Sequence, residues 1–176
     1  MTQLTVPVNE HDHMLGKPDA RVVLVEYADY QCPYCGDAYP IVKQVAQEFA
    51  GQVCVVFRNF PLVQAHPEAL PAAMVAEFAA QHGNFWEVHD ALFENQRQLG
   101  IPLYAKILAK LNLSAQELEA ALSNPATEQR IRSDIESGER SGVDGTPAFF
   151  INGKNFSPRG GFDDVLNTVR QLMKPS

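Results

Sequence analysis

The sequence predicts an α/β protein in which a strand–helix–strand unit and a strand–strand–helix unit flank a long helical segment. Three observations carry this prediction. Residues 22–25 and 52–60 are two apolar, mainly β-branched runs separated by a segment with helical spacing. Apolar residues recur at helical spacing throughout residues 66–141. Two short apolar runs around an Asn-Gly pair then precede a final helical pattern.

The first unit follows a polar lead-in, residues 1–19, which we expect to be irregular. A strand covers residues 20–30, and Pro33 suits the first turn of the helix that follows. We expect this helix to extend to about residue 50, with Gly51 as its end and a kink at Pro40. Residues 52–60 form the second strand, so the unit is a parallel βαβ pair with a right-handed crossover.

Five short helices are predicted next, opened by Pro71, Asn84, Pro102, a capping box at Ser114 and Glu117, and Pro125. Residues 148–151 and 154–156 form a hairpin around a type I′ turn, and residues 162–173 form the last helix. We therefore divide the chain into residues 1–62 and 142–176, which together form one α/β unit, and a helical insertion over residues 63–141.

Composition excludes several classes of protein. The 176 residues carry a net charge of −7 with no basic cluster, which argues against nucleic-acid binding. No apolar stretch is long enough for membrane insertion. The N-terminal residues do not resemble a leader peptide, so we expect a cytoplasmic protein, or a periplasmic one if a leader was removed.

A closely spaced thiol pair, Cys32 and Cys35, lies at the predicted junction of strand and helix. Unpaired N–H groups and the helix dipole at this position favour a thiolate, and cysteines of this kind have pKa values of roughly 3.5–7.5. Cys32 begins the helix, whereas Cys35 lies one turn inside it and should be more buried. We therefore predict that Cys32 is the nucleophile and that Cys35 resolves the mixed disulfide.

Structural cysteines or half of a zinc site are the alternatives for this pair. A zinc site needs about four ligands, and the remaining cysteine, Cys54, lies on a predicted buried strand, where we expect an inert thiol. We interpret His11, Asp12 and His13 as polar residues of the lead-in, and His66 and His82 as helix-boundary residues. Phe85 and Trp86 are expected in the core of the helical segment.

The stretch DHMLGKPDARVVLVEYADYQCPYCGDAYPIVKQV resembles the DsbA-type thiol-disulfide oxidoreductases of the thioredoxin-like family, in particular the branch also found fused to sodium/proton antiporters. FRNFPL at 57–62, the segment at 66–96 and SGVDGTPAFFINGK at 141–154 continue the similarity. The resemblance implies a thioredoxin fold with an inserted helical subdomain. It also implies a cis peptide bond between Thr146 and Pro147 beside the cysteines, which leaves the backbone of Thr146 free to pair with a substrate.

Glu26 interrupts the first apolar run, and from the pattern alone it could be a charged residue at a strand end. The resemblance implies an acid beneath the second cysteine. Burial would raise its pKa towards neutrality, so that it could take the proton of Cys35.

These observations predict a protein thiol-disulfide oxidoreductase with a redox-active disulfide between Cys32 and Cys35. Pro33, Tyr34, Thr146 and Pro147 would bind protein dithiol or disulfide substrates. No cofactor and no metal is implied, and the redox partner stays unidentified. The dipeptide is Pro-Tyr, not the Pro-His of strongly oxidising family members. Pro-Tyr also occurs in glutaredoxins, so a reductase of glutathione mixed disulfides is one alternative, and a non-catalytic module binding peptide or zinc is another.

Overall fold

The computed structural model describes residues 2–175 and confirms an α/β thioredoxin fold. Five strands form one sheet in the order β1-β3-β2-β4-β5. The central strand is β2 (Val22–Ala28). It pairs in parallel with β3 (Val53–Asn59) and antiparallel with β4 (Ala148–Ile151). β5 (Lys154–Phe156) completes the predicted hairpin with β4, and Asn152 and Gly153 of its turn both have positive φ.

Two helices cover one face of the sheet. α1 (Pro33–Glu48) follows β2, and α7 (Asp163–Met173) ends the chain. Side chains that alternate along the strands, such as Leu24 and Val55, pack against buried residues of these helices in one apolar cluster. α1 is continuous through Pro40. The βαβ unit therefore brings the N-terminus of α1 to the carboxyl end of β2.

The segment between β3 and β4 contains α2 (Ala69–Ala80), α3 (Phe85–Glu94), α4 (Ile101–Lys110), α5 (Ala115–Ala121) and α6 (Pro125–Arg140). The capping box at Ser114 and Glu117 is present, and Pro125 opens α6 as predicted. α2 begins at Ala69, two residues before the proline expected to open it. The division of the chain at residues 62 and 141 stays a proposal.

The prediction of an irregular lead-in is wrong for β1 (His13–Leu15), which pairs antiparallel with β3 at one edge of the sheet. The interpretation of Asp12 and His13 as merely polar is also wrong. Asp12 forms a bidentate ion pair with Arg58 at 2.8 and 2.9 Å, and both side chains are almost fully buried. His13 stacks on Phe85 and lies 2.8 Å from a carboxylate oxygen of Glu77.

These contacts hold the lead-in across the second face of the sheet, where Leu4, Val8 and Met14 join the apolar cluster around Val25 and Phe150. Within residues 2–175, no helix is both long and apolar enough to cross a membrane.

Candidate active site

Cys32 occupies the N-cap position of α1, and Pro33 is the first residue of the helix. The Cys32 side chain makes no capping hydrogen bond. N–H groups of the first helical turn are therefore available to the Cys32 sulfur. Cys35 is fully buried one turn later, and both cysteines are free thiols in this structure. This is the arrangement in which a helix start favours one thiolate of the pair.

The two thiols have strongly different acidities. The pKa of Cys32 is lowered to about 5, mainly by a hydrogen bond from Cys35, and further by the Thr146 side chain and by hydrogen bonds from the backbone of Cys35 and Tyr34. Partial burial opposes this lowering. Burial raises the pKa of Cys35 far above that of an ordinary thiol, as do its hydrogen bond to Cys32 and the charge of Glu26. At neutral pH, Cys32 is therefore the thiolate and Cys35 the thiol.

Glu26 lies on β2, in register with Phe57 and Phe149 of the neighbouring strands, and is 3% exposed. Burial and, second, the charge of the Cys32 thiolate raise its pKa to about 8. Its Oε2 atom has no hydrogen-bond partner among residues 2–175. Glu26 is thus a carboxyl group that can gain or lose a proton near neutral pH, close enough for its charge to act on Cys35.

The loop before β4 lies beside the nucleophile. The Thr146–Pro147 peptide bond is cis, and the Cys32 sulfur lies 3.6 Å from the Thr146 carbonyl oxygen. A groove of about 550 Å³ begins there, lined by the loop and by Tyr34, Phe156 and Phe162. Tyr34 is 66% exposed at its rim. Three of the four residues predicted to bind substrate, Tyr34, Thr146 and Pro147, therefore line this groove, and Pro33 is exposed next to Tyr34.

Asp29 fixes the turn between β2 and α1, a role that the sequence analysis missed. Its Oδ1 atom accepts hydrogen bonds from the N–H groups of Gln31 and Cys32 at 2.7 and 3.2 Å. Its Oδ2 atom accepts from the Leu62 N–H at 2.9 Å and lies 2.7 Å from His66 Nδ1. The Asp29 N–H donates to the Cys35 sulfur at 3.5 Å. The buried Asp29 carboxylate thus ties the start of the CxxC segment to the loop after β3, while the Asp29 backbone contacts Cys35 at its other end.

Gln96 is the second residue that the sequence analysis missed. It lies in a short 3₁₀ turn, Gln96–Gln98, after α3, and its Nε2 atom donates to the carbonyls of Tyr30 and Cys32 at 2.9 and 2.8 Å. Gly36 leaves room for this side chain, because a Cβ atom there would collide with it. The helical segment therefore contacts the cysteine turn directly.

The other residues singled out in the sequence lie outside this site. Cys54 is fully buried on β3 in the cluster on the opposite face of the sheet. His82 contacts the Phe78 carbonyl, and His11 is exposed. Phe85 is buried and Trp86 packs against the same cluster, as predicted. Within residues 2–175, no three histidine, cysteine or carboxylate side chains are grouped so that they could hold a metal ion.

Comparisons with known proteins give the family. The thioredoxin family model matches residues 8–170. A Na⁺/H⁺ antiporter, NhaA 3 of Salinispora tropica, is 40% identical over 152 residues, which are 86% of this chain and 23% of that protein. The chain thus spans about a quarter of the length of the curated relatives it matches.

Solved structures show the same fold at low sequence identity. BdbD from Bacillus subtilis has a TM-score of 0.83 at 22% identity, covering 99% of both chains. α-DsbA1 from Wolbachia pipientis has a TM-score of 0.81 at 20% identity, covering 96% of this chain and 94% of that one. The chain belongs to the thioredoxin-like family, and its fold is that of the DsbA-like thiol-disulfide oxidoreductases.

Proposed function

We propose that this protein exchanges disulfides with protein substrates through Cys32 and Cys35. The observation that carries the proposal is the division of acidity within the pair. The pKa of Cys32 is lowered to about 5 at the start of α1, whereas burial raises that of Cys35. A stable thiolate beside a protonated, buried thiol is the arrangement that disulfide exchange requires, because the thiolate is the attacking species.

The reduced protein acts in two steps. The Cys32 thiolate attacks one sulfur of a substrate disulfide, that S–S bond breaks, and the other substrate sulfur leaves as a thiolate. Glu26, when ionised, then takes the proton of Cys35. The resulting Cys35 thiolate attacks the Cys32 sulfur, which releases the second substrate sulfur and forms the Cys32–Cys35 disulfide. Two electrons pass to the substrate, and the same steps in reverse oxidise a substrate dithiol.

Glu26 is proposed as the proton acceptor because its pKa of about 8 is close to the operating pH. A carboxyl group at its ordinary pKa would be a much weaker base for a thiol. Loss of the Cys32 thiolate on forming the mixed disulfide removes one cause of the raised pKa. Glu26 is therefore ionised more readily at the stage when Cys35 must lose its proton.

The groove beside Thr146 and Pro147 is proposed to hold the substrate chain. Pro147 offers no N–H group, and the Thr146 carbonyl oxygen lies 3.6 Å from the reacting sulfur of Cys32. An extended peptide linked to Cys32 could pair with this backbone, while exposed Tyr34 packs against its side chains. A redox partner would use the same surface.

Glutathione mixed disulfides are the second candidate substrates, favoured by the Pro33–Tyr34 dipeptide and the exposure of Tyr34. Cys35→Ser, which cannot resolve a mixed disulfide, tests both possibilities. The Cys35→Ser variant is reacted in parallel with an unfolded, oxidised ribonuclease and with oxidised glutathione. The adduct with ribonuclease should accumulate faster than the adduct with glutathione. Faster accumulation of the glutathione adduct would favour the second candidate. Absence of both adducts would contradict exchange chemistry, with Cys32→Ser as the unreactive control.

A further inference from the structure

A second groove, of about 400 Å³, lies on the β1–β3 side of α1. Val42 and Ala46 of α1 form one wall, Trp86 of α3 another, and Val55 and Leu15 contribute from the sheet. We call this the α1–α3 groove. It shares no lining residue with the groove beside Pro147. Its volume falls within the range of small-molecule pockets, about 300–1,000 Å³.

Glu26 also lines the α1–α3 groove. Its side chain is almost completely buried, and Oε2 has no hydrogen-bond partner among residues 2–175. Buried polar atoms in native proteins are nearly always paired. A carboxyl group with an unpaired oxygen at the wall of a mainly apolar groove is therefore a position where a ligand atom would be stabilised.

The chemistry of the groove limits the ligand. With its pKa raised to about 8, Glu26 is mainly protonated at neutral pH and offers an O–H donor. Burial lowers the pKa of His89, which also lines the groove, to about 3, so that it is neutral. Lys43 and Asp90 at the groove pair with each other at 2.9 Å. Neither an anion nor a cation would find an unpaired opposite charge there.

We propose that the α1–α3 groove binds a small neutral molecule that has an apolar body and one carbonyl oxygen, and that this oxygen accepts a hydrogen bond from the Glu26 carboxyl group. Occupancy stabilises the protonated form of Glu26. A bound ligand therefore withholds the proton acceptor from Cys35 and slows resolution of the mixed disulfide at Cys32. This consequence rests on the function proposed above, whereas binding itself does not.

Binding is tested on the reduced protein by NMR titration with two neutral probes of similar size. Benzylacetone has an aromatic body and one ketone, and butylbenzene lacks the oxygen. Benzylacetone should shift the amide signals of Val42, Ala46 and Val55 saturably and bind about fivefold tighter than butylbenzene, the ratio expected for one neutral hydrogen bond. Equal affinities would overturn the contact with Glu26. Shifts elsewhere, or none, would overturn the site.

Two substitutions locate the site further. Ala46→Trp fills the groove and should weaken benzylacetone binding at least about tenfold, whereas Ala109→Trp, on the exposed face of α4, should leave it unchanged. Glu26→Leu should remove the difference in affinity between the two probes. Retention of that difference in Glu26→Leu would show that another group donates the hydrogen bond.

The regulatory consequence has its own readout, the rate at which a mixed disulfide on Cys32 is resolved. Saturating benzylacetone should slow resolution several-fold in the parent and have no effect in Ala46→Trp. An unchanged rate at saturation would overturn regulation even if the ketone binds. If the parent resolves no mixed disulfide at all, the proposed function fails, and the NMR result still decides the binding site.

Discussion

Replacing Glu26 with glutamine should stabilise the folded protein at neutral pH and flatten the dependence of its stability on pH. Glu26 is 3% exposed, and burial, followed by the charge of the Cys32 thiolate, raises its pKa from 4.5 to about 8. Between these two pH values the folded chain binds a proton that the unfolded chain has released. Stability therefore falls as pH rises through this window and levels off above pH 8.

The magnitude follows from the shift. One pKa unit corresponds to about 1.4 kcal/mol, so Glu26 should cost the folded protein about 3 kcal/mol of unfolding free energy at pH 7. Glutamine carries no charge to desolvate and keeps the shape of the side chain. Its amide still lacks full hydrogen bonding, which reduces the gain, since an unpaired buried polar group costs about 1–3 kcal/mol.

Urea denaturation of the parent and Glu26→Gln at several pH values between 5 and 8 measures this difference. The two stability curves should diverge as pH rises, while Glu136→Gln, on the exposed face of α6, should follow the parent. The divergence should be smaller in the oxidised protein, because the Cys32 thiolate is then absent. Parallel curves for parent and Glu26→Gln would refute a raised pKa and remove the basis for Glu26 as a proton acceptor.

Three further substitutions test the fold around the site. Asp12→Asn leaves the buried Arg58 without a charged partner and should lower the unfolding free energy, measured by urea denaturation, by about 3–5 kcal/mol. A decrease below about 1 kcal/mol would contradict the importance of this ion pair. Gly138→Ala places a Cβ atom 2.9 Å from the Phe60 ring and should lower the stability measured by thermal unfolding by about 1–3 kcal/mol. Parental stability of this variant would show that the ring can move aside. Cys54→Ala should keep the parental rate of disulfide exchange, and loss of exchange would show that this buried thiol participates.

Local signals in the sequence were sufficient for most of the fold. The apolar runs that became β2 and β3, the capping box of α5 and the proline that opens α6 each depend on residues close together in the chain. β1 could not be predicted in this way. It is three residues long, and its formation depends on pairing with β3, about forty residues later.

In the candidate site, too, residues whose role depends on contacts with distant segments could not be predicted. Cys32 and Cys35 were found because their spacing and their place at a helix start carry the chemistry themselves. Asp29 and Gln96 were missed because each acts through contacts between distant segments. Asp29 accepts from Leu62 and lies against His66, and Gln96 reaches the cysteine turn from the far end of α3. His66, which we interpreted as a helix-boundary residue, also lies 2.7 Å from the Asp29 carboxylate, which accepts a hydrogen bond from the Cys32 N–H group.

Titration of the Cys32 thiolate by ultraviolet absorbance tests the central claim most directly. The reduced parent should show one thiolate transition with a midpoint near pH 5, and Cys32→Ser should lose it. Cys35→Ala should shift the midpoint upwards, because the hydrogen bond from Cys35 is the largest cause of the lowered pKa. A midpoint near the ordinary thiol value of about 8.5, or an acidic transition that survives in Cys32→Ser, would contradict the assignment of Cys32 as the nucleophile.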